Sequence, residues 1–178
     1  IADAKRGDIG NTAKQYAESI FNHFGFDCVT LSPYMGEDSI MPFLDFEEKG
    51  VFILCRTSNP SAHTFQTQNL IDGEYLYESV AKWANSLNFK ENIGLVVGAT
   101  APQELSKVRK FAPDLPILIP GVGTQGGDLN NCVYESNKTG IGIINVSRDI
   151  SFSGDCSEKS IRESATSYVD KINKALNG

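Results

Sequence analysis

The densest run of chemistry-bearing side chains lies at the start of the chain, in Asp3-Ala4-Lys5-Arg6-Gly7-Asp8-Ile9-Gly10-Asn11-Thr12. On a strand, residues two apart point to the same side, so the spacing places Asp3 and Lys5 on one face. An ammonium beside carboxylates stays protonated and keeps them ionised, because each charge favours the charged form of its neighbour. Such an array can press negative charge on a bound group and offer it a proton. The same residues would equally make a surface ion-pair cluster at a strand end.

Three further segments carry polar groups where an apolar run ends. Cys55-Arg56-Thr57-Ser58-Asn59-Pro60 has hydroxyls and an amide that could read the edge of a heterocycle, or form a turn before Pro60. Ile117-Leu118-Ile119-Pro120-Gly121-Val122-Gly123-Thr124-Gln125-Gly126-Gly127-Asp128 runs into a glycine-rich loop whose amides can approach an anion. Gly121, Gly123 and Gly126 match the G-x-G-x-x-G spacing of a dinucleotide loop. That reading also requires a helix next, and 127–131 does not look like the opening of one. Ile144-Asn145-Val146-Ser147-Arg148-Asp149 ends in a cation, which could grip a phosphate bidentately with Gln125 as a neutral donor, or pair with Asp149 or Asp128. His23 and His63 are far apart, and neither a metal site nor a Ser-His-Asp triad is indicated.

Something must hold these groups together, and the chain pattern suggests what. Apolar segments at 1–5, 28–32, 51–55, 93–97, 117–119 and 140–146 each end in polar or glycine-rich residues. Helical periodicity separates most of them, which is the βα alternation of a parallel sheet. Ile9, Ala13, Ala17, Ile20 and Phe24 make one stripe; Leu76, Val80, Trp83, Ala84 and Leu87 another; Leu105, Val108 and Phe111, after Pro102, a third. A long closing helix carries Ile161, Ala165, Tyr168, Val169, Ile172 and Leu176, with Ser157 or a Ser160–Glu163 capping box at its start. These stripes predict packing faces. The extra length in 57–74, rich in polar residues, predicts a functional loop, for which a lid is the expectation.

The 178 residues are 40% hydrophobic and 21% charged, with a net charge of −6, which fits a single domain with a real core. An acidic balance argues against a general nucleic-acid or polybasic membrane binder. No apolar run approaches the roughly 18 residues of a membrane span. Cys28, Cys55, Cys132 and Cys156 are widely spaced, with no C-x-x-C pair, and read as reduced thiols in a cytoplasmic protein. The first strand begins at residue 1, and six strands are fewer than the eight of a closed barrel. The expectation is a C-terminal portion of a barrel whose first strands are missing, or a smaller open sheet.

Taken together, D-A-K-R-G-D-I-G-N-T, T-S-N-P and P-G-V-G-T-Q-G-G-D resemble the orotidine 5′-phosphate decarboxylase family, in order from Asp3 to Arg148. The resemblance implies a TIM (β/α)8 barrel acting without a cofactor in pyrimidine biosynthesis, converting orotidine 5′-monophosphate to uridine 5′-monophosphate. It implies a homodimer with shared active sites. Carried over residue by residue, Lys5 would protonate C6 of the pyrimidine and Asp3 would lie near the substrate carboxylate. Asp8, with Ile9 and Thr12, would reach the neighbouring subunit's site. Ser58 would bond the pyrimidine edge, Pro120 would line the base pocket, and Gln125 and Arg148 would hold the phosphate. The family pattern also needs an aspartate and a second lysine on earlier strands, which this sequence does not contain. An upstream segment is expected to supply them, and the chain alone is expected to be inactive. A phosphate-binding module without chemistry, and a nicotinamide-dependent oxidoreductase resting on the glycine loop, are the competing readings.

Overall fold

The computed structural model describes residues 1–123 and 128–177. The described residues form six strands: β1 (Ala2–Arg6), β2 (Cys28–Leu31), β3 (Gly50–Arg56), β4 (Ile93–Val97), β5 (Ile117–Pro120) and β6 (Gly142–Asn145). Each lies parallel to the next in sequence order, with β1 and β6 at the edges. This is the sheet of a partial (β/α) barrel.

Val29 and Leu31 of β2, Val51, Ile53 and Cys55 of β3, Ile93, Leu95 and Val97 of β4, and Ile117 and Ile119 of β5 all join one buried core on the helical side. Their alternate neighbours Thr30, Leu54, Val96, Leu118 and Pro120 face a cavity on the other side. Gly94 belongs to this inner series, and a Cβ there would fall 2.6 Å from the Phe52 ring. Its missing side chain makes room for Phe52 at the floor.

The helices cover the outer face. They are α1 (Gly10–Glu18), α2 (Met41–Leu44), α3 (Leu76–Ser86), α4 (Pro102–Phe111), α5 (Leu129–Ser136), α6 (Arg148–Ser151) and α7 (Glu158–Asn177). The stripe expected to make one helix to Phe24 changes character at Ser19–His23, a π turn closed by Phe24 N–H on Ser19 O at 2.9 Å. Ile20 and Phe21 are both buried there. In α3 the deepest line is Tyr77, Ala81 and Ala84, flanked by Val80, Trp83 and Leu87, so the buried face is centred one position from the expected stripe. Pro102 opens α4 as anticipated.

Two expectations need correction. A helix does follow the glycine loop: Asp128 Oδ1 accepts the Asn131 N–H at 3.1 Å, capping α5, and Cys132, Val133 and Ser136 are buried beneath it. The weak helix formers Asn130 and Asn131 sit on the outer side of a stripe strong enough to outweigh them. At α7 the Ser160–Glu163 box is not the start. The helix begins at Glu158, with Ser157 Oγ accepting the Ser160 N–H at 3.2 Å. No residue of α7 is buried, although Tyr168 packs against the core.

The polar segment 57–74 is partly ordered by a 3-10 turn at Pro60–Thr64 and by an Asn69–Tyr75 bridge. Its first end is clamped where Gln66 Oε1 accepts the Thr57 N–H at 2.8 Å. Its far end meets α3 where Glu78 Oε2 accepts the Tyr75 N–H at 3.0 Å. All four cysteines are free thiols. No helix among the described residues is long and apolar enough to cross a membrane.

Candidate active site

Strand β1 is irregular where its chemistry sits. Ala2 pairs with Val29 and Arg6 with Leu31, so β1 takes four steps (2 to 6) where β2 takes two (29 to 31). A bulge of this kind re-aims side chains. Lys5 lies at φ 47°, the left-handed region, which costs an L-residue about 1–2 kcal/mol. The result is a tight ion pair: Lys5 Nζ lies 2.6 Å from Asp3 Oδ1. Thr30 completes the cluster from β2. Its Oγ1 accepts the Lys5 backbone N–H at 3.0 Å and donates to Asp3 Oδ1 at 3.0 Å.

These residues open on a cavity of about 580 Å³ walled by all six strands, from Asp3 and Lys5 on β1 through Thr30, Leu54, Val96 and Pro120 to Asn145 on β6. Thr57, Ser58, Asn59 and Gln66 close one rim. Among the described lining residues Asp3 and Lys5 are the only charged side chains. The hydrogen bond from the Lys5 ammonium holds the Asp3 carboxyl below the usual carboxylate range; burial opposes this, and the Thr30 hydroxyl and the Lys5 charge reinforce it. Asp3 is therefore an anion and a hydrogen-bond acceptor at neutral pH.

The rim is shaped by a second irregularity, between Leu54 and Arg56 on β3. It delivers Thr57 and Ser58 to the mouth. Gly98, after β4, lets this turn approach, because a Cβ there would lie 2.7 Å from Ser58 N. Behind the turn, Arg56 Nε reaches Glu104 Oε1 of α4 at 3.5 Å and its Nη1 donates to Thr57 O at 2.6 Å.

Of the residues singled out in the sequence, Asp3, Lys5, Ser58 and Pro120 meet at this cavity. Asp8, Ile9 and Thr12 do not line it. Asp8 Oδ1 accepts the Ile9 N–H at 2.8 Å, and Ile9 and Thr12 are exposed around the first turn of α1. Arg148 stands exposed at the first position of α6, outside the lining. Of the two carboxylates expected as its alternative partners, Asp149 accepts a hydrogen bond from Tyr168 Oη at 2.8 Å and Asp128 accepts the Asn131 N–H at 3.1 Å. Gln125 lies outside the described residues. The sequence reading missed Thr30, Gln66 and Asn145. For Thr30 and Asn145 a signal existed: each is a polar residue in register with the cavity side of an otherwise apolar strand.

Both buried thiols are held in the protonated form. Burial raises Cys55 far above the ordinary range and pushes Cys132 up to about 11. No group of three or more metal-ligating side chains occurs among the described residues.

Residues 1–162 match the family model described as orotidine 5′-phosphate decarboxylase / HUMPS family. The chain belongs to this family. It is 49% identical over 165 residues to the orotidine 5′-phosphate decarboxylase of Halorubrum lacusprofundi, covering 89% of this chain and 59% of that protein. The Delftia acidovorans protein of the same name is 59% identical over 132 residues, covering 72% of this chain and 48% of its own length. The chain thus spans about half to three fifths of these two relatives. Among solved structures, Leishmania donovani OMP decarboxylase superposes with a TM-score of 0.86 at 39% identity, covering 99% of this chain and 68% of that one. The UMP synthase of the same organism gives 0.87 at 42%, covering 97% and 38%. As a family member, the chain contributes six consecutive strands of a barrel, and its charged pair sits on the first of them.

Proposed function

We propose that this chain is the greater part of a decarboxylase domain that converts orotidine 5′-monophosphate to uridine 5′-monophosphate. The observation that carries the reading is the Lys5–Asp3 pair, 2.6 Å apart at the mouth of a cavity with Ser58 and Pro120 on its walls. Loss of carbon dioxide breaks the bond from C6 to the carboxyl carbon and leaves the electron pair on C6. The Lys5 ammonium, already placed, stabilises that charge without reorganising and delivers a proton to form the C6–H bond. Solvent then returns a proton to Lys5.

In this reading Asp3 lies beside the departing carboxylate and holds the Lys5 ammonium in place through their hydrogen bond. Ser58 bonds the pyrimidine edge and Pro120 packs against the base. Arg148 and Gln125 hold the phosphate, whose binding energy organises the reacting end. No cofactor is invoked. Asp8, Ile9 and Thr12, which lie outside the lining of this cavity, serve a second subunit in a homodimer with shared sites. The exposure of Ile9 and Thr12 around the start of α1 supports that role. The proposal extends to a cytoplasmic enzyme whose remaining barrel segment supplies the aspartate and second lysine of the family pattern.

The test follows the ultraviolet absorbance of orotidine 5′-monophosphate with the protein at its full natural length and with Lys5→Ala. Rapid turnover that falls by at least about a thousandfold in the variant, with uridine 5′-monophosphate still bound, is the expected result. A folded protein that binds the nucleotide without turnover would replace the decarboxylase with a phosphate-binding module.

A further inference from the structure

Lys5 combines a directed side chain with a strained backbone. Its side chain is aimed at a carboxylate 2.6 Å away, and its backbone occupies a conformation that L side chains rarely adopt. Strained residues persist only where the surroundings over-determine them. The register of β1 against β2 shifts between Ala2 and Arg6, and within that stretch the Lys5 N–H is bonded to a side chain of β2. The acceptor is Thr30 Oγ1, at 3.0 Å.

We propose that Thr30 is a positioning residue of the site: one buried hydroxyl holds both the left-handed backbone of Lys5 and the carboxylate of Asp3, and so fixes where the ammonium stands. A hydroxyl has one proton to give and lone pairs to receive. Here it gives the proton to Asp3 Oδ1 at 3.0 Å and receives the Lys5 N–H. Thr30 is 1% exposed, on a strand whose neighbours Val29 and Leu31 are locked in the core on the opposite face, so the hydroxyl has little freedom to move. Asp3 Oδ1 receives both this proton and the Lys5 ammonium. The threonine therefore closes a ring: Lys5 backbone to Thr30, Thr30 to Asp3, Asp3 to the Lys5 side chain.

Without the hydroxyl, the Lys5 N–H has no acceptor to repay the strain, and Asp3 keeps only a partner that moves with it. The pair would survive as an ion pair but lose its fixed place over the cavity. Chemistry that depends on placing a proton donor within tenths of an ångström suffers most from such a loss. Nucleotide affinity, which the other walls and the phosphate contacts supply, suffers least.

The kinetic arm of the test rests on the decarboxylase reading; a titration arm does not. Thr30→Val keeps shape and removes the hydroxyl, and Thr30→Ser restores it. In the protein at its full natural length, Thr30→Val is expected to lower kcat about 10- to 100-fold with KM within about twofold, and Thr30→Ser to recover most of the loss. By carbon-13 NMR, the Asp3 carboxyl is expected to titrate higher in Thr30→Val than in the parent, and to return in Thr30→Ser. Lys5 and Thr30 are the groups that face it, and no other described lining residue has a charged side chain.

Full kcat in Thr30→Val, beside a dead Lys5→Ala control, overturns the positioning role and leaves the decarboxylase reading intact. No turnover in the parent removes that reading, and the Asp3 titration then decides: an unchanged curve in Thr30→Val overturns the proposal. Should Thr30→Val not fold, as judged by its thermal transition, Thr30→Ala carries the same expectations.

Discussion

Gly98 and Ser58 touch in a way that only a glycine permits: a Cβ at position 98 would lie 2.7 Å from both the nitrogen and the Cβ of Ser58 and 2.8 Å from its Cα. The Gly98 N–H also donates to Arg56 O at 2.7 Å, so the end of β4 is tied to the end of β3 just where Ser58 enters the cavity rim. Two backbones in contact have no flexible tip that can yield.

Gly98→Ala should therefore push Ser58 away from the mouth. Overpacking of this kind costs about 1–3 kcal/mol, which if expressed at the rim corresponds to roughly 10- to 100-fold weaker binding of uridine 5′-monophosphate. Isothermal titration calorimetry reads it directly. An affinity equal to the parent's, in a variant with an unchanged fold, would remove Ser58 from the base-binding role.

The Asp3 carboxyl should lose its depressed titration when its partner is removed. The Lys5 hydrogen bond is the leading cause of that depression, against the opposing effect of burial. A carboxyl whose folded value lies below its unfolded one contributes stability that is complete above the unfolded value, near 4, and is lost as pH falls through the folded value. In Lys5→Met the carbon-13 titration of Asp3 should shift upward, and the share of the acid-side loss of stability that Asp3 contributes should shrink, because its folded and unfolded values converge. The stability change will be small, because the Asp3 side chain is 68% exposed and screened by water. A titration that does not move would mean that the ion pair has no hold on the carboxyl.

Arg109 should be the costliest polar residue to lose for folding. It is 3% exposed, and its guanidinium donates to the carbonyls of Ala112, Pro113, Leu115, Ser136 and Ile141. Burial lowers its pKa to about 10, so it remains a cation at neutral pH. It ties the end of α4, the approach to β5, the end of α5 and the approach to β6, the strands that carry Pro120 and Asn145 to the cavity. Arg109→Met fills similar space but takes the guanidinium from the carbonyls of Ala112, Leu115 and Ser136, while Thr139 Oγ1 and the Ile117 N–H still reach those of Pro113 and Ile141, and should cost about 2–4 kcal/mol in urea denaturation. Arg109→Lys should recover little, because one ammonium cannot reproduce a planar fork. A loss below about 1 kcal/mol would show that water satisfies the carbonyls instead.

The strand starts and the Asp3–Lys5 pairing were legible in the sequence because they depend on local rules. Period-two alternation tells which residues share a face, apolar runs mark strands buried on both sides, and Pro102 marks a helix start. The α5 helix was misread for a local reason as well: its signals are a cap and a short stripe, which two asparagines obscured. Motif residues at strand ends were recognisable by type. Their destination was not.

Only the tertiary structure decided that Asp3, Lys5, Ser58 and Pro120 share one cavity while Asp8, Ile9, Thr12 and Arg148 stand outside its lining. That division depends on a bulge in β1, a second irregularity in β3 and a glycine contact after β4, none of which follows from periodicity. Thr30 shows the limit most clearly. In the sequence it is one polar residue between Val29 and Leu31, and it gains meaning only when β2 pairs with a strand more than twenty residues earlier, where the Lys5 N–H is bonded to its hydroxyl within the shifted register. A sequence specifies which groups can do chemistry through their types and local spacing. The pairing of distant segments determines which of them meet, because hydrogen-bond register and close packing are satisfied by the whole sheet at once.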